Sequence, residues 1–264
     1  IVAEMETIVQ RFGLHRFSFV DDLFITPSPQ GIRWVEDFCK VIEQRGVHVN
    51  FYAEMRADTV DPVLIDKLRK AGLHRLFIGM ESGVDSALKR WDKGTTVEEN
   101  DRAVNILRGL GMPPHAINFG YIMFDPEMTL DELKQQYRWL RDTGYCQVQH
   151  LQNKMNIYWG TPHHARMLAQ GRIDTSAFGD RWIYEFDDPR VGAVETAFRR
   201  FHLRFQDECV EEYIRANESF RLATKVHFDV NDKALSPTLI DLLSQAQRRV
   251  EQAHRDAYYF VFDT

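Results

Sequence analysis

Apolar residues at Ile1, Met5, Ile8, Val9 and Phe12 recur at helical spacing, so a helix is predicted to be running already at the first residue. Short apolar runs then alternate with helical stripes. The runs lie at residues 16–20, 47–53, 76–78, 117–124 and 146–151. The run at 76–78 is continuous, the pattern of a strand buried on both faces of a parallel sheet, and it stops abruptly at polar residues; the other four end the same way. Between them, helical periodicity covers 32–45 up to Gly46, and 62–72, where Asp61-Pro62 supplies a cap and a first-turn proline. A helical pattern also opens at Asp85. The pairs Thr96/Glu99 and Thr129/Glu132 predict capping boxes for helices running to about Gly109 and Gly144. Strand and crossover helix repeat at roughly the length of a βα unit. The expected fold class is therefore α/β, a parallel sheet curled into a partial or full barrel.

Beyond residue 165 the rhythm stops. Residues 171–189 read as a loop holding Trp182, Tyr184 and Phe186, and 191–225 and 237–262 as amphipathic helices. Two regions follow: a barrel-like part over 1–165 and a helical C-terminal extension over 166–264.

Composition narrows the function only a little. A net charge of -6 and a pI near 5.9 give no electrostatic reason to expect nucleic acid. No run approaches a membrane span, and no signal peptide is evident. The three cysteines, Cys39, Cys146 and Cys209, are scattered and have neither disulfide-framework nor metal-site spacing. A reducing, cytoplasmic location is expected. The chain lacks an initiator Met and a cap before its first helix, and reads as a piece of something longer.

Candidate chemistry collects at the carboxyl ends of the strands, where barrels keep their ligands. Asp21 and Asp22 could hold a cation, cap a helix or accept from an ammonium group. Glu54 and Arg56, at i and i+2, share a face, as an ion pair at the sheet rim or as a carboxylate clamp and its partner acceptor. Glu81 and Ser82 sit between Gly79 and Gly83, where backbone can approach a ligand closely. Residues 158–162 suggest an aromatic wall, and His163-His164 a metal pair whose neighbouring side chains diverge. This mouth suits a zwitterionic ligand, or a divalent metal held by Asp21, Glu54 and Glu81 in a barrel hydrolase.

Four blocks taken in order, Phe19-Val-Asp-Asp-Leu-Phe24, Gly72-Leu-His-Arg-Leu-Phe-Ile-Gly-Met-Glu-Ser-Gly83, Lys93-Gly-Thr-Thr96 and Phe124-Asp-Pro-Glu-Met-Thr129, resemble the radical S-adenosylmethionine superfamily. The nearest likeness is to its subgroup with an amino-terminal cobalamin-binding domain. The resemblance implies a partial (β/α)6 TIM-like barrel whose first strand and cluster loop are missing here. It implies that Asp21 and Asp22 hold the methionine amino group, that Glu54, Arg56, Glu81 and Ser82 contact the carboxylate and ribose, and that Asn118, Gly120, Asp125 and residues 156–162 line the adenine and substrate pocket. It further implies S-adenosylmethionine, a 4Fe–4S cluster, a small-molecule substrate, and an electron donor such as a flavodoxin or ferredoxin. Cobalamin would be carried by a domain outside this chain.

One departure stands against activity. The family's CxxxCxxC loop is absent, and Cys39 and Cys146 are misplaced to replace its thiolates. The chain is expected to be a catalytic-core fragment, cleaving S-adenosylmethionine for radical methylation or rearrangement only as part of its parent, and inactive as written. Two rival readings remain: a non-catalytic barrel that binds an S-adenosylmethionine-like ligand, and the metal hydrolase.

Overall fold

A computed structural model of the chain describes residues 1–113, 116–174 and 183–203, and in the last stretch 245, 248, 249, 252, 255–260, 262 and 263. Helix α1 (Val2–Phe12) leads into β1 (Arg16–Ser18), α2 (Pro29–Arg45), β2 (Asn50–Arg56), α3 (Pro62–Lys70) and β3 (Leu73–Glu81). Then come α4 (Asp85–Arg90), α5 (Val97–Gly109), β4 (Ile117–Tyr121), α6 (Leu130–Asp142) and α7 (Pro162–Ala169). Strands β1–β4 form a four-stranded parallel sheet in sequence order.

The local signals act as read. Asp61 caps α3 through its side chain, and Ser28-Pro29, which the periodicity did not mark, opens α2 in the same way, three residues before Ile32. Both capping boxes form, on α5 and α6. In β2, Phe51, Ala53 and Met55 are buried against the helices, while Tyr52, Glu54 and Arg56 are half-buried on the opposite, concave face. The register aligns Tyr52 with Arg75, Glu54 with Phe77 and Arg56 with Gly79, then Phe77 with Asn118 and Gly79 with Gly120. Helices cover one face of the sheet, and the other is a shallow trough.

Two expectations need correction. Residues 146–151 do not form a strand: Val148–Gln152 is a 3-10 helix, and only Lys154 bridges to β4's extension at Phe124. The polar residues Gln147, Gln149 and His150 satisfy one another and Asn118 locally, which favours the tight turn over an extended ladder. The stretch 171–189 is not all loop, since β5 (Ile173–Asp174) pairs antiparallel with β6 (Ile183–Tyr184). Residues 189–203 are helical, as expected for the extension; most of 204–264 lies outside the described residues.

Candidate functional site

Phe19 and Phe24 anchor the loop after β1 to the helix-covered side of the sheet. Both rings pack on Phe38 and Phe51, and their amides donate to Tyr52 O and Glu54 O of β2. With both ends of the loop fixed, residues 20–23 between them are pushed outward, and Asp21 and Asp22 are both exposed.

Glu54 stands on the concave face and accepts from the Tyr52 hydroxyl at 2.6 Å. Burial and the Glu54 charge raise the Tyr52 phenol well above its usual range, so it remains a donor. Glu54 and Arg56 do share a face, but they are not each other's partner. Arg56 makes a bidentate pair with Asp58 and donates to Lys93 O and Gly94 O at 3.3 Å each. Its guanidinium is spent on holding the Lys93-Gly94 loop over the rim, which leaves no free fork for a ligand carboxylate.

That loop delivers a cation that the strand-end pattern does not mark, Lys93. Lys93 Nζ lies 2.9 Å from Glu81 Oε1. Glu81 itself has φ 60, a left-handed conformation costly for a residue with a Cβ. Three devices hold it there. Asn100 donates to Met80 O and Ser82 O at 3.0 and 2.9 Å. Gln136, fully buried, accepts from Ser82 Oγ and Gly83 N at 2.9 and 2.8 Å. Ile122 N donates to Glu81 O at 2.9 Å. A Cβ on Gly79 would stand 2.9 Å from Glu81 Oε1 and 3.1 Å from Lys93 Nζ, so glycine there leaves room for this pair. The Lys93-Gly-Thr-Thr96 segment, 12 residues beyond Glu81, carried the signal for it.

Ser82 is turned inward, fully buried in the Gln136 knot. Asp125 is buried too: Arg90 Nε donates to it at 3.0 Å, and its other oxygen accepts from Glu127 N at 3.0 Å. Asn118 faces the trough, and Gly120 lies under the Phe77 ring, whose Cζ would be 2.7 Å from an added Cβ. The structure therefore brings Glu54, Glu81, Asn118 and Gly120 onto one face, with Asp21 and Asp22 at its edge, and places Ser82 and Asp125 behind it.

The metal readings fail on geometry. Glu54 and Glu81 are each committed to a neighbour, and among the described residues no group of three or more His, Cys, Asp or Glu side chains could hold a metal ion. His163 bonds Met167 Sδ at 3.1 Å, while His164 is buried against Trp159. Tyr158 and Trp159 are exposed.

The sequence profile of the Radical SAM superfamily matches residues 1–140. The chain belongs to the Radical SAM superfamily. It is 35% identical over 138 residues to the 4'-phospho-dehydrooxetanocin synthase of Priestia megaterium, covering 47% of this chain and 18% of that protein. It is 27% identical over 144 residues to the anaerobic magnesium-protoporphyrin IX monomethyl ester cyclase of Rubrivivax gelatinosus, covering 54% and 25%. An uncharacterized methyltransferase of Pyrococcus horikoshii is 24% identical over 149 residues, covering 56% and 31%. The chain spans less than a third of the length of these relatives. The fold is that of the cobalamin-dependent S-adenosylmethionine radical enzyme OxsB, solved with aqua-cobalamin and S-adenosylmethionine bound: TM-score 0.70 at 20% identity, over 97% of this chain and 40% of that one.

The residues present do not fit the 4Fe–4S cluster that radical SAM enzymes use. Cluster ligands are thiolates. Cys39 is half-buried on α2 and Cys146 is buried, and desolvation pushes both thiols up to about 11. Cys209 lies outside the described residues. No helix among the described residues is long and apolar enough to cross a membrane.

Proposed function

We propose that the trough binds S-adenosylmethionine as part of a radical enzyme that methylates or rearranges a small-molecule substrate. The observation that carries this is Glu81: a strained carboxylate at a strand end, paired with Lys93 and braced by Asn100 of α5, Gln136 of α6 and the Ile122 amide just past β4. Strain of this kind costs on the order of 1–3 kcal/mol and concentrates at sites that need a fixed group. Asp21, Asp22 and Glu54 supply acceptors for the ligand's ammonium group. Lys93, steadied by Arg56, replaces Arg56 as the cation for its carboxylate, and Glu81 accepts from the ribose hydroxyls. Asn118 and Gly120 line the floor, and Ser82 and Asp125 brace the loops behind it.

Cobalamin as a further cofactor is supported by the likeness to OxsB, and its domain and the cluster ligands would come from outside these residues. A redox protein such as a flavodoxin or ferredoxin would supply the electron. Titration calorimetry of this chain with S-adenosylmethionine tests the binding half. Saturable heat that falls at least tenfold in affinity in Glu81→Gln supports it; no binding at millimolar ligand refutes it. The misfit of the cysteines favours one other reading, a barrel that binds this ligand without redox chemistry. Formation of 5'-deoxyadenosine by the anaerobically reconstituted full-length protein separates the two.

A further inference from the structure

The trough floor contains a carboxamide whose orientation is decided by its neighbours. Asn118 lies on β4 between Ile117 and Phe119, both buried against the helices, so its side chain is on the concave face. Its Oδ1 accepts from Gln149 Nε2 at 2.9 Å and pairs with His150 Nε2 at 3.0 Å. The histidine tautomer follows from its other nitrogen: Nδ1 lies 3.0 Å from the Gln147 backbone N–H, which can only donate. The ring proton is therefore on Nε2 and points at Asn118 Oδ1.

With two donors on its oxygen, the amide cannot flip without facing donor to donor. No acceptor among the described residues takes the Nδ2 protons, and the residue is only half-buried. The histidine is fully buried, and it keeps a stacked contact with Phe119 at 6.1 Å. Burial of this kind holds the ring neutral, so the arrangement does not change across ordinary pH.

We propose that His150 is a positioning residue, which with Gln149 locks the Asn118 carboxamide so that its NH2 group is a fixed donor to the bound ligand. The group it recognises is a hydrogen-bond acceptor deep in the trough, a ring nitrogen or carbonyl oxygen of a heterocyclic base. Asn118 sits one inward-facing position below Gly120, about 7 Å down the strand, so it reads the far end of a ligand whose charged end meets Glu81 and Lys93 at the rim. This rests on the S-adenosylmethionine reading above, whose base would supply the acceptor.

Asn118→Asp tests it with little disturbance, because a carboxylate still accepts from His150 and Gln149 and loses only the donor. Calorimetry with S-adenosylmethionine should show a loss of about tenfold in affinity, the size of one hydrogen bond, with an unchanged unfolding midpoint. His150→Phe should lose a similar factor and His150→Gln, which keeps a donor, should recover most of it. The double variant Asn118→Asp/His150→Phe should be no weaker than the worse single one. L-methionine, which has no base, should bind every variant alike.

A second readout is independent of that ligand. By 15N relaxation, the Asn118 side-chain NH2 resonances should report a rigid group in the wild-type chain and a mobile one in His150→Phe. Equal S-adenosylmethionine affinity in wild type and Asn118→Asp overturns the recognition claim. An NH2 group that stays equally rigid in His150→Phe overturns the lock, whether or not the ligand binds. If the wild-type chain binds no S-adenosylmethionine, both the earlier reading and the recognition claim fall, and the resonances alone decide whether His150 positions Asn118.

Discussion

Gly83→Ala should damage the fold far more than its single added methyl suggests. An ideal Cβ at Gly83 would lie 2.4 Å from both Cβ and Cγ of Trp139 and 2.6 Å from Cδ2. Relaxed carbon contacts are about 3.5–4.0 Å. The Trp139 Cβ is fixed to the α6 backbone, so no rotamer change relieves the overlap, and α6 or the β3 turn must move by about 1 Å or more. Three residues earlier on α6, Gln136 accepts from Gly83 N at 2.8 Å and from Ser82 Oγ at 2.9 Å, and it donates to Ile122 O at 2.9 Å. Tyr121, stacked on Trp139 at 5.7 Å, also bonds Gln136. Overpacking costs about 1–3 kcal/mol, and one or two weakened buried hydrogen bonds add about 1 kcal/mol each. The total is roughly 2–5 kcal/mol, or a fall of about 5–15 °C in melting temperature for a chain of this size. Gly79→Ala is the control. There the added carbon meets only the ends of Glu81 and Lys93, which can swing aside. It should cost little stability and lower S-adenosylmethionine affinity instead. Both variants should be unfolded in urea and titrated with ligand. A Gly83→Ala chain within about 0.5 kcal/mol of wild type would refute the rigid α6–β3 contact on which this reasoning depends.

Asp125→Ala should destabilise by about 3–5 kcal/mol in the same assay, because it strips a fully buried acceptor from Arg90 and from Glu127 N. Acid should weaken the fold through His150. Burial lowers its pKa to about 4, below the unfolded value, so stability is complete above about pH 6.5 and falls as the pH drops from there toward about 4. A shift of that size is worth on the order of 3 kcal/mol, and His150→Gln should flatten the difference between urea midpoints at pH 7.5 and 4.5. Arg56→Gln should release the Lys93-Gly94 loop, weakening S-adenosylmethionine several-fold by calorimetry while moving the melting temperature only slightly.

The helices were the most legible part of this chain, because their ends are written in local chemistry. Asp61-Pro62, Thr96/Glu99 and Thr129/Glu132 each bond within three or four residues, and no tertiary contact is needed to make them work. Strand ends were read less well. Strand β2 begins at Asn50 rather than Val47 and runs through Arg56, since hydrogen bonding to β3 extends it past the apolar run. The run at 146–151 has strand-like composition, yet a buried histidine that needs Asn118 and Gln147 turns it into a 3-10 helix. Ser82 and Asp125 show the same limit in the site. Both follow apolar runs, as ligand residues would, but whether a polar side chain at a strand end faces the trough or the protein depends on partners such as Gln136 and Arg90, which lie 54 and 35 residues away in sequence.

Arg56 and Lys93 sharpen that point into a rule about charge. From sequence, a lone arginine among strand-end carboxylates looks like the ligand's cation. In the fold it is surrounded first by Asp58 and by two carbonyls of the 93–94 loop, and a planar fork with several donors is better suited to tying a loop than a single ammonium is. The lysine it ties down has one compact charge, one carboxylate partner in Glu81 and a half-buried position at the rim. An incoming carboxylate can share that ammonium without breaking the Arg56 brace, whereas recruiting Arg56 would release the loop that positions Lys93. The division of labour between the two cations follows from their geometry, and it predicts that charge-preserving Lys93→Arg harms ligand binding more than stability.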